Sequence, residues 1–345
     1  MTQWAVVLAG GVGSRFWPLS TPQRPKQLLP LVDREPLLAG AVRRLGPVAD
    51  PAHTLVLTNA SLADAVAELL PQVPRENVIA EPRPAGTAAA LAWAASEIAR
   101  RDGPEALMVC VHADWAIGDE RTFVETLRRA GDVARRCEAL VTVGIVPSRP
   151  DPGFGYIQPG QPVEAGAFRV ERFVEKPDRQ TAERMVREGY LWNSGIFAWR
   201  VGDFLAEIRA HTPEVSPALE AAQGDVGRFF GAVRSIAVDV GVLERSERVM
   251  VVPGDFGWDD VGTWAALRRV RPADGAGNAS VGAVHALDAS GNVVHAEGNA
   301  VVLYGVDDLV VVTRDGLTLV TTVERSADLK TLIDSLPASL RDRGA

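Results

Sequence analysis

Short apolar runs alternate with amphipathic helical patterns through the first half of the chain, and this alternation constrains the fold more than any other feature. The apolar runs cover residues 4–9, 53–58, 106–111 and 139–146. The helical patterns cover residues 36–49, 61–70, 87–101 and 122–136, with Ser61 and Thr87 at positions typical of helix N-caps. Strands that alternate with crossover helices form parallel sheets covered on both faces. We therefore predict an α/β fold.

The second half of the chain adds strands of a different kind. Between residues 163 and 199 the strand-like segments are shorter and more mixed, which favours antiparallel additions around a pocket. Residues 272–278 are rich in Pro, Gly, Ala and Asp, as in a linker, and residues 280–323 form short β-rich segments without crossover helices. We predict a mixed, mostly parallel sheet in a domain over 1–271. A small β-solenoid-like module over 279–345 follows and ends in a short helix.

Composition excludes several classes of protein. The net charge of -8 argues against a nucleic-acid binder, which would show a basic patch. Two cysteines do not make a disulfide framework, and the five histidines lack zinc-ligand spacing. No apolar stretch reaches the ~18 residues of a membrane span, and no charged segment of a signal peptide precedes the first apolar run. We expect a soluble, cytoplasmic protein that binds neither nucleic acid nor membrane.

The first apolar run ends in a glycine-rich loop, LAGGVGSRFWPLS over residues 8–20, followed by PKQ. Glycines after a first strand let backbone N–H groups approach a nucleotide closely. The loop is neither a dinucleotide fingerprint, which needs a third glycine at a helix start, nor a Walker A loop. It places Arg15 and Lys26 on one extended segment. A phosphate loop and a plain structural turn both fit its glycines, and the two cations favour the phosphate loop.

Lysine is rare in this chain, since only three of the 36 basic residues are lysine. Lys26 and Lys176 lie in RPKQ and FVEKP, and Lys330 lies in a polar stretch near the C-terminus. An ammonium is a compact point charge, whereas a guanidinium is a broad planar fork. The three lysines could also lie at these positions by chance. If lysine is instead required at 26 and 176, Lys→Arg there should be nearly as damaging as Lys→Ala, and Lys330→Arg should be silent.

Two aspartates follow predicted strands. Asp114 comes after the run over 106–111, and Asp260 lies in WDDVG after the strand-like segment 249–253. Open α/β sheets bind ligands beyond the carboxyl ends of their strands. Two carboxylates, completed by waters and phosphate oxygens, are a usual way to hold Mg²⁺. Either aspartate alone also fits a loop turn or a helix N-cap.

Together these motifs resemble the sugar-nucleotide pyrophosphorylases, and most closely the bacterial mannose-1-phosphate guanylyltransferases. Further strings in the same order are EPRPAGTAAA (81–90), VHADWAIGD (111–119), GFGYI (153–157), FVEKP (173–177), WNSGIFAW (192–199) and FGWDDVGTW (256–264). The resemblance implies a Rossmann-like nucleotidyltransferase domain with a C-terminal β-helix-like module. It also implies Mg²⁺-dependent, in-line transfer of a guanylyl group from GTP to mannose 1-phosphate, giving GDP-mannose and pyrophosphate. We expect a homodimer.

The resemblance also implies roles for matching residues. Arg15 and Lys26 would bind the triphosphate and stabilise the transition state, while Asp114 and Asp260 would bind the metal. The residues expected around the nucleotide are Leu8, Gly10, Gly11, Gly13, Ser14, Gly86 and Thr87. Those expected around the sugar phosphate are Gly155, Glu175, Lys176 and Asn193.

The chain departs from the family pattern at two points. Pro-Ala-Asp-His around the metal aspartate is here His112-Ala113-Asp114-Trp115, and Asn-Thr is here Gly86-Thr87. The second departure predicts looser discrimination among bases. Alternatives are the same chemistry with another sugar 1-phosphate or another NTP, and a regulatory subunit that binds nucleotide-sugar. A purely structural β-solenoid does not account for the phosphate loop.

Overall fold

The structure is a computed structural model that describes residues 2–11 and 14–341. The chain divides into two compact units. Unit 1 comprises Met1–Gly10, Ala41–Ala113 and Asp119–Phe256. Unit 2 comprises Gly11–Gly40, Asp114–Gly118 and Gly257–Ala345. The predicted division into a domain over 1–271 and a module over 279–345 stays a prediction.

Unit 1 contains a nine-stranded sheet, in the order β3-β2-β1-β4-β8-β5-β9-β7-β6. The strands are β1 Gln3–Leu8, β2 Thr54–Asn59, β3 Val78–Glu81, β4 Leu107–His112, β5 Leu140–Ile145, β6 Tyr156–Pro162, β7 Phe168–Val174, β8 Leu191–Arg200 and β9 Val249–Gly254. β3, β2, β1 and β4 pair in parallel, as do β5 and β9. β8 is antiparallel to β4 and β5, and β6 is antiparallel to β7. The predicted mixed α/β sheet with antiparallel additions is confirmed.

The α-helices of the described chain before residue 233 are interspersed with these strands. They are α1 Leu37–Leu45, α2 Ala63–Leu69, α3 Gly86–Asp102, α4 Glu120–Cys137, α5 Arg179–Arg187, α6 Val201–His211, α7 Ser216–Ala222 and α8 Val226–Ala232. The alanine-rich face of α3 is buried in the core of unit 1, because small side chains allow close packing. No helix in the described ranges is long and apolar enough to cross a membrane.

Both predicted N-caps are wrong. Asn59 caps a 3₁₀ turn, Ala60–Leu62, that precedes α2, so Ser61 lies inside that turn. α3 begins one residue before Thr87, with Ala85 at its N-cap position. Sequence could not show this, because the start of α3 is fixed by a distant segment described below.

Unit 2 contains the β module. Its strands are β10 Ala279–Val281, β11 Val284–Leu287, β12 Val293–Ala296, β13 Val301–Tyr304, β14 Leu309–Arg314 and β15 Leu317–Thr322. β10, β12 and β14 pair in parallel, as do β11 and β13, whereas β15 is antiparallel to β14. Parallel strands that recur at this short spacing form the coils of a β-helix-like module, as predicted. The helices are α9 Leu267–Val270, α10 Leu329–Ser335 and α11 Ala338–Arg341.

The glycine-rich loop and the segment after it belong to the same compact unit as the β module. The loop residues Phe16, Trp17, Leu19, Leu29 and Leu31 are buried. They share one hydrophobic cluster with strand residues of the module, Val293, Val310, Val312 and Leu319. The loop that carries Lys26 is therefore held by the core of the module.

Candidate active site

Lys26 is a buried cation. It opens a 3₁₀ turn, Lys26–Leu28, directly after Pro25, and only 9% of its side chain is exposed. Its Nζ donates to Asp114 Oδ2 at 3.0 Å and to the carbonyl oxygen of Asp260 at 2.6 Å. The structure thus brings together three of the predicted site residues, called below the Lys26 cluster (Lys26, Asp114 and Asp260).

A backbone bridge sets the two aspartates of this cluster. Ala116 N donates to Asp259 O at 2.9 Å, and Asp259 N donates to Ala116 O at 3.1 Å. Gly118 N donates to Gly257 O at 3.1 Å and extends the pairing. Asp114 and Asp260 each lie within two residues of this bridge in the chain. Main-chain hydrogen bonds, rather than contacts of the carboxylates, therefore position the backbone of both aspartates.

The turn after the bridge contains a residue with a positive φ and orients the Asp260 side chain. Val261 has a φ of +47°, and Asp260 Oδ1 accepts from Gly262 N at 3.2 Å. A Cβ at Gly262 would lie 2.6 Å from Asp260 Oδ2, so a larger residue at this position would displace the Asp260 carboxylate. Asp259 accepts from Val261 N at 2.9 Å and from Arg269 Nε at 2.8 Å. The Asp259 carboxylate therefore stabilises the turn, and Asp260 is the aspartate of this turn that belongs to the Lys26 cluster.

The donor chemistry of the cluster fits Mg²⁺. Residues 2–11 and 14–341 contain no group of three or more His, Cys, Asp or Glu arranged to hold a metal. Mg²⁺ in nucleotide sites, however, is usually held by one or two carboxylates, with waters and substrate phosphates completing the shell. Burial raises the pKa of Asp260, and Asp259 raises it further against the opposing charge of Lys26. An additional cation would relieve this excess of negative charge.

The glycine-rich loop is tied to the Lys26 turn. Gln27, next to Lys26, donates its Nε2 to the carbonyl of Gly11 at 2.9 Å. Leu8 is buried at the end of β1, and Arg15 is exposed within the 3₁₀ turn Ser14–Phe16. Gly13, predicted to contact nucleotide, lies outside the described residues.

Three further predicted residues meet in unit 1 together with Asp239, which was not predicted, and the four are called below the Asn193 cluster (Gly155, Glu175, Asn193 and Asp239). Asn193 N donates to Gly155 O at 2.8 Å, and a Cβ at Gly155 would lie 2.8 Å from Glu175 Oε2. Asn193 Nδ2 donates to Asp239 Oδ1 at 2.7 Å. Asp239 begins a π-helical turn that sequence reasoning missed.

Lys176 lies beside this cluster in the chain. It has a φ of +41° and forms an ion pair with its neighbour Glu175. The side chains of Lys176 and Glu175 are 64% and 59% exposed, respectively. Burial raises the pKa of the nearby Glu244, and the charges of Asp239 and Glu175 add to this rise. The region is therefore rich in carboxylates around one exposed ammonium.

Gly86 and Thr87 pack against the segment that precedes Asp239. Gly86 has a φ of +80°, and a Cβ there would lie 2.3 Å from the carbonyl oxygen of Ile236. Ala88 N donates to that carbonyl at 3.2 Å, and the Thr87 hydroxyl accepts from Val238 N at 2.8 Å. The glycine found here in place of the family's asparagine is thus required by the packing of this segment against the start of α3.

Comparison with known proteins shows the family of this chain. The family model described as "Nucleotidyl transferase" matches residues 4–276. This chain belongs to the nucleotidyl transferase family. It is 37% identical to a mannose-1-phosphate guanylyltransferase of Escherichia coli (strain K12), over 98% of this chain and 74% of that protein. It is also 37% identical to the xanthan biosynthesis protein XanB of Xanthomonas campestris pv. campestris, over 97% of this chain and 73% of that protein.

A solved structure matches nearly the whole length of this nucleotidyl transferase. It is described as a mannose-1-phosphate geranyltransferase from Thermus thermophilus, with a TM-score of 0.89 and 35% identity. The match covers 97% of this chain and 99% of that one, and so includes the β module. The resemblance predicted from the motifs is confirmed.

Sequence reasoning on this nucleotidyl transferase missed Glu81. Glu81 ends β3, and its Oε1 lies 3.8 Å from the position of a Cβ at Gly10. Burial raises its pKa to about 7. Over residues 2–11 and 14–341, its carboxylate forms no hydrogen bond or salt bridge. The available signal was its place as the first residue of EPRPAGTAAA, but the short strand VIAE before it was not predicted.

The other departure from the family pattern, Trp115, has a structural partner in this nucleotidyl transferase. Its ring packs edge-on against Trp258, with ring centroids 5.8 Å apart. Trp258 directly precedes Asp259. The two rings pack beside the paired segments that place Asp114 and Asp260, so this tryptophan supports the Lys26 cluster.

Proposed function

We propose that this protein transfers the guanylyl group of GTP to mannose 1-phosphate and releases pyrophosphate. The observation that carries the proposal is the Lys26 cluster, in which a buried ammonium is held between two aspartates, on the segment that follows a glycine-rich loop. It occurs in a chain that matches an E. coli mannose-1-phosphate guanylyltransferase over nearly the full length of the chain.

The reaction requires positioning and neutralisation of charge. A phosphate oxygen of the sugar phosphate attacks the α-phosphorus in line, a new P–O bond forms, and the bond to the β-phosphate oxygen breaks as pyrophosphate leaves. Lys26, with Arg15, would stabilise the negative charge on the triphosphate as this bond breaks. Asp114 and Asp260 would hold Mg²⁺, which when bound neutralises phosphate charge. The backbone of Gly10 and Gly11 would approach the nucleotide closely.

Glu81 would select guanine. The Watson–Crick edge of guanine presents two adjacent donors, N1–H and the N2 amino group, and an ionised carboxylate offers two acceptor oxygens. Glu81 is a half-buried carboxylate without a partner among the described residues, beside the first glycine of the loop. A site whose buried polar group would be left unpaired rejects the wrong ligand strongly. This contact offsets the loss of selectivity expected from Gly86.

The Asn193 cluster would bind the sugar. Glu175 and Asn193 would hydrogen-bond to hydroxyls, the sugar would pack against the backbone at Gly155, and Lys176 would pair with the sugar phosphate. The exposure of Lys176 supports this role, since its ammonium can exchange Glu175 for a phosphate without a large desolvation cost.

A substrate matrix tests the proposal. Pyrophosphate release is measured with GTP, ATP, UTP and dTTP against mannose, glucose and galactose 1-phosphates, with Mg²⁺ present and with EDTA. We expect the highest kcat/KM for GTP with mannose 1-phosphate and no turnover in EDTA. Equal kcat/KM for all four nucleotides would remove the guanylyl part of the proposal. A clear preference for another sugar would remove mannose.

Assembly and location remain predictions. We expect a homodimer in the cytoplasm, and light scattering coupled to gel filtration will check the first of these. A monomer mass for the active protein would contradict it.

A further inference from the structure

Three arginines in α9 or directly after it each bind a different part of unit 2. Arg268 Nη1 donates to Asp308 of the β module at 2.7 Å. Arg269 donates to Asp259, in the turn that aims Asp260. The third, Arg271, reaches the segment that carries Lys26. Sequence reasoning assigned no role to any of these arginines.

Arg271 links the Lys26 segment to strand β12. The residue is only 5% exposed, and its Nε donates to the carbonyl of Leu31 at 2.6 Å. It also contacts the Val294 carbonyl through Nη1 at 3.4 Å and His295 Nδ1 through Nη2 at 3.1 Å. A buried guanidinium is costly unless its N–H groups are satisfied. These three contacts on two separate segments engage all three of its nitrogens, so the arginine keeps its place only while both segments keep theirs.

The other end of the segment is held in the same manner. Arg314, on β14, donates its Nη1 to the carbonyl of Leu19 at 2.8 Å. Trp264 donates its indole N–H to the carbonyl of Trp17 at 3.3 Å. Between Leu19 and Leu31, a stretch that the structure describes in full, the regular structure is a single 3₁₀ turn. The position of the Lys26 ammonium therefore depends on anchors outside the segment.

We propose that Arg271 and Arg314 are positioning residues, through which the β module sets Lys26 against the triphosphate. This inference rests on the proposed function. In it, the module is part of the catalytic apparatus, because it holds both ends of the segment between Leu19 and Leu31. A displacement of about 1 Å at a charge that stabilises the transition state can cost on the order of 100-fold in rate.

The test compares Arg271→Gln and Arg314→Gln with Arg268→Gln. The control residue lies in the helix that precedes Arg271 and binds the module through Asp308 rather than through the Lys26 segment. Three readouts are taken: hydrogen exchange of peptides covering 17–31 and 107–112, kcat and KM with GTP and mannose 1-phosphate, and Tm. We expect both positioning variants to lose about 100-fold in kcat with KM within threefold. Exchange should speed up over 17–31 but not over β4, and the control should match wild type.

Several results would overturn the inference. Wild-type kcat and wild-type exchange over 17–31 in folded Arg271→Gln and Arg314→Gln would do so, as would equal losses in the control. If Arg271→Gln does not fold, Arg314→Gln decides. If neither variant folds, hydrogen exchange of the wild-type protein decides. The inference requires the amides of Leu29 and Leu31 to exchange together with those of β12 and β14. Absence of guanylyl transfer by the wild type would refute the proposed function alone, since the exchange readout does not depend on it.

Discussion

The two lysines in functional motifs lie in contrasting surroundings. Lys26 is almost fully buried and donates to a carboxylate and to a main-chain carbonyl that are fixed by backbone pairing. Lys176 is mostly exposed, and the partner of its ammonium is the similarly exposed side chain next to it in the chain. One ammonium is built into the fold, and the other is available to exchange partners.

This difference separates two kinds of requirement. Catalysis needs a charge held in place before the substrate arrives, because reorganisation during the reaction raises the barrier. Binding of a mobile substrate needs a charge that can leave its partner at little cost. The expectation that Lys→Arg would be equally damaging at both positions changes accordingly. A guanidinium at 26 would have to fit a buried site built around an ammonium, whereas at 176 it would extend into solvent.

The largest effect is expected at the carboxylates of the Lys26 cluster. Asp260→Asn removes one of two charges that would hold Mg²⁺, and turnover should fall on the order of 1000-fold while the fold is kept. The measurement is kcat for pyrophosphate release across a Mg²⁺ series, with Asp334→Asn on the exposed face of α10 as the matched control. Near-normal activity of Asp260→Asn would break the assignment of this cluster to the chemistry.

A smaller effect is expected at Glu81. Its pKa of about 7 means that the ionised form, which would accept from guanine, is lost as the pH falls below 7. We expect kcat/KM for GTP to drop about tenfold per pH unit below that point and to level off above it. Glu81→Gln should lose this step and some preference for GTP over ATP. Titration of the substrates affects the wild type and Glu81→Gln equally. If the fall in kcat/KM below pH 7 is unchanged in Glu81→Gln, Glu81 is excluded as its origin.

A further prediction sharpens the role of the Asn193 cluster. Asp239→Ala removes the acceptor that orients the Asn193 amide. The KM for mannose 1-phosphate should rise about tenfold, the worth of one well-placed hydrogen bond, with kcat little changed. Asp132→Ala, on the surface of α4, serves as the control, since that carboxylate pairs with Arg135 of the same helix. A loss confined to kcat would move Asp239 from sugar binding to another role.

The smallest effect concerns stability. The pKa of Glu81 is raised from 4.5 to about 7 in the folded protein, so its contribution to stability is present at low pH and is lost as the pH rises through this window. Thermal unfolding from pH 5 to pH 8 should therefore show Glu81→Gln gaining a few degrees in Tm relative to wild type. A constant difference across this range would show that the carboxylate is not desolvated in solution.

The sequence was sufficient to predict the sheet and that Asp114 and Asp260 lie near one another, whereas their role as metal ligands stays a prediction. Buried parallel strands are continuous apolar runs, and ligand-binding residues follow their carboxyl ends, so Asp114 and Asp260 could be found without coordinates. β3 was missed because its four residues, VIAE, are too short to show a pattern. Glu81 was missed with it.

Other features could not be predicted, because they depend on which core a residue enters. Phe16, Trp17 and Leu19 are apolar whether they pack on the large sheet or on the β module, and the structure shows that they pack on the module. Gly86 departs from the family's asparagine because of a carbonyl contributed by a distant part of the chain, at Ile236. The arginines that hold the Lys26 segment carried no motif at all.

The most direct test is a single-turnover measurement of guanylyl transfer with both substrates saturating, in Lys26→Arg, Lys176→Arg and Lys330→Arg. Lys26→Arg should slow the transfer step about 100-fold, because the broader fork displaces the charge from its place beside Asp114. Lys176→Arg should stay within about threefold of wild type, since an exposed guanidinium also pairs with phosphate, and Lys330→Arg should be unchanged. Equal losses at 26 and 176, or a wild-type rate in Lys26→Arg, would contradict the claim that the buried Lys26 cluster is the chemical centre of this protein.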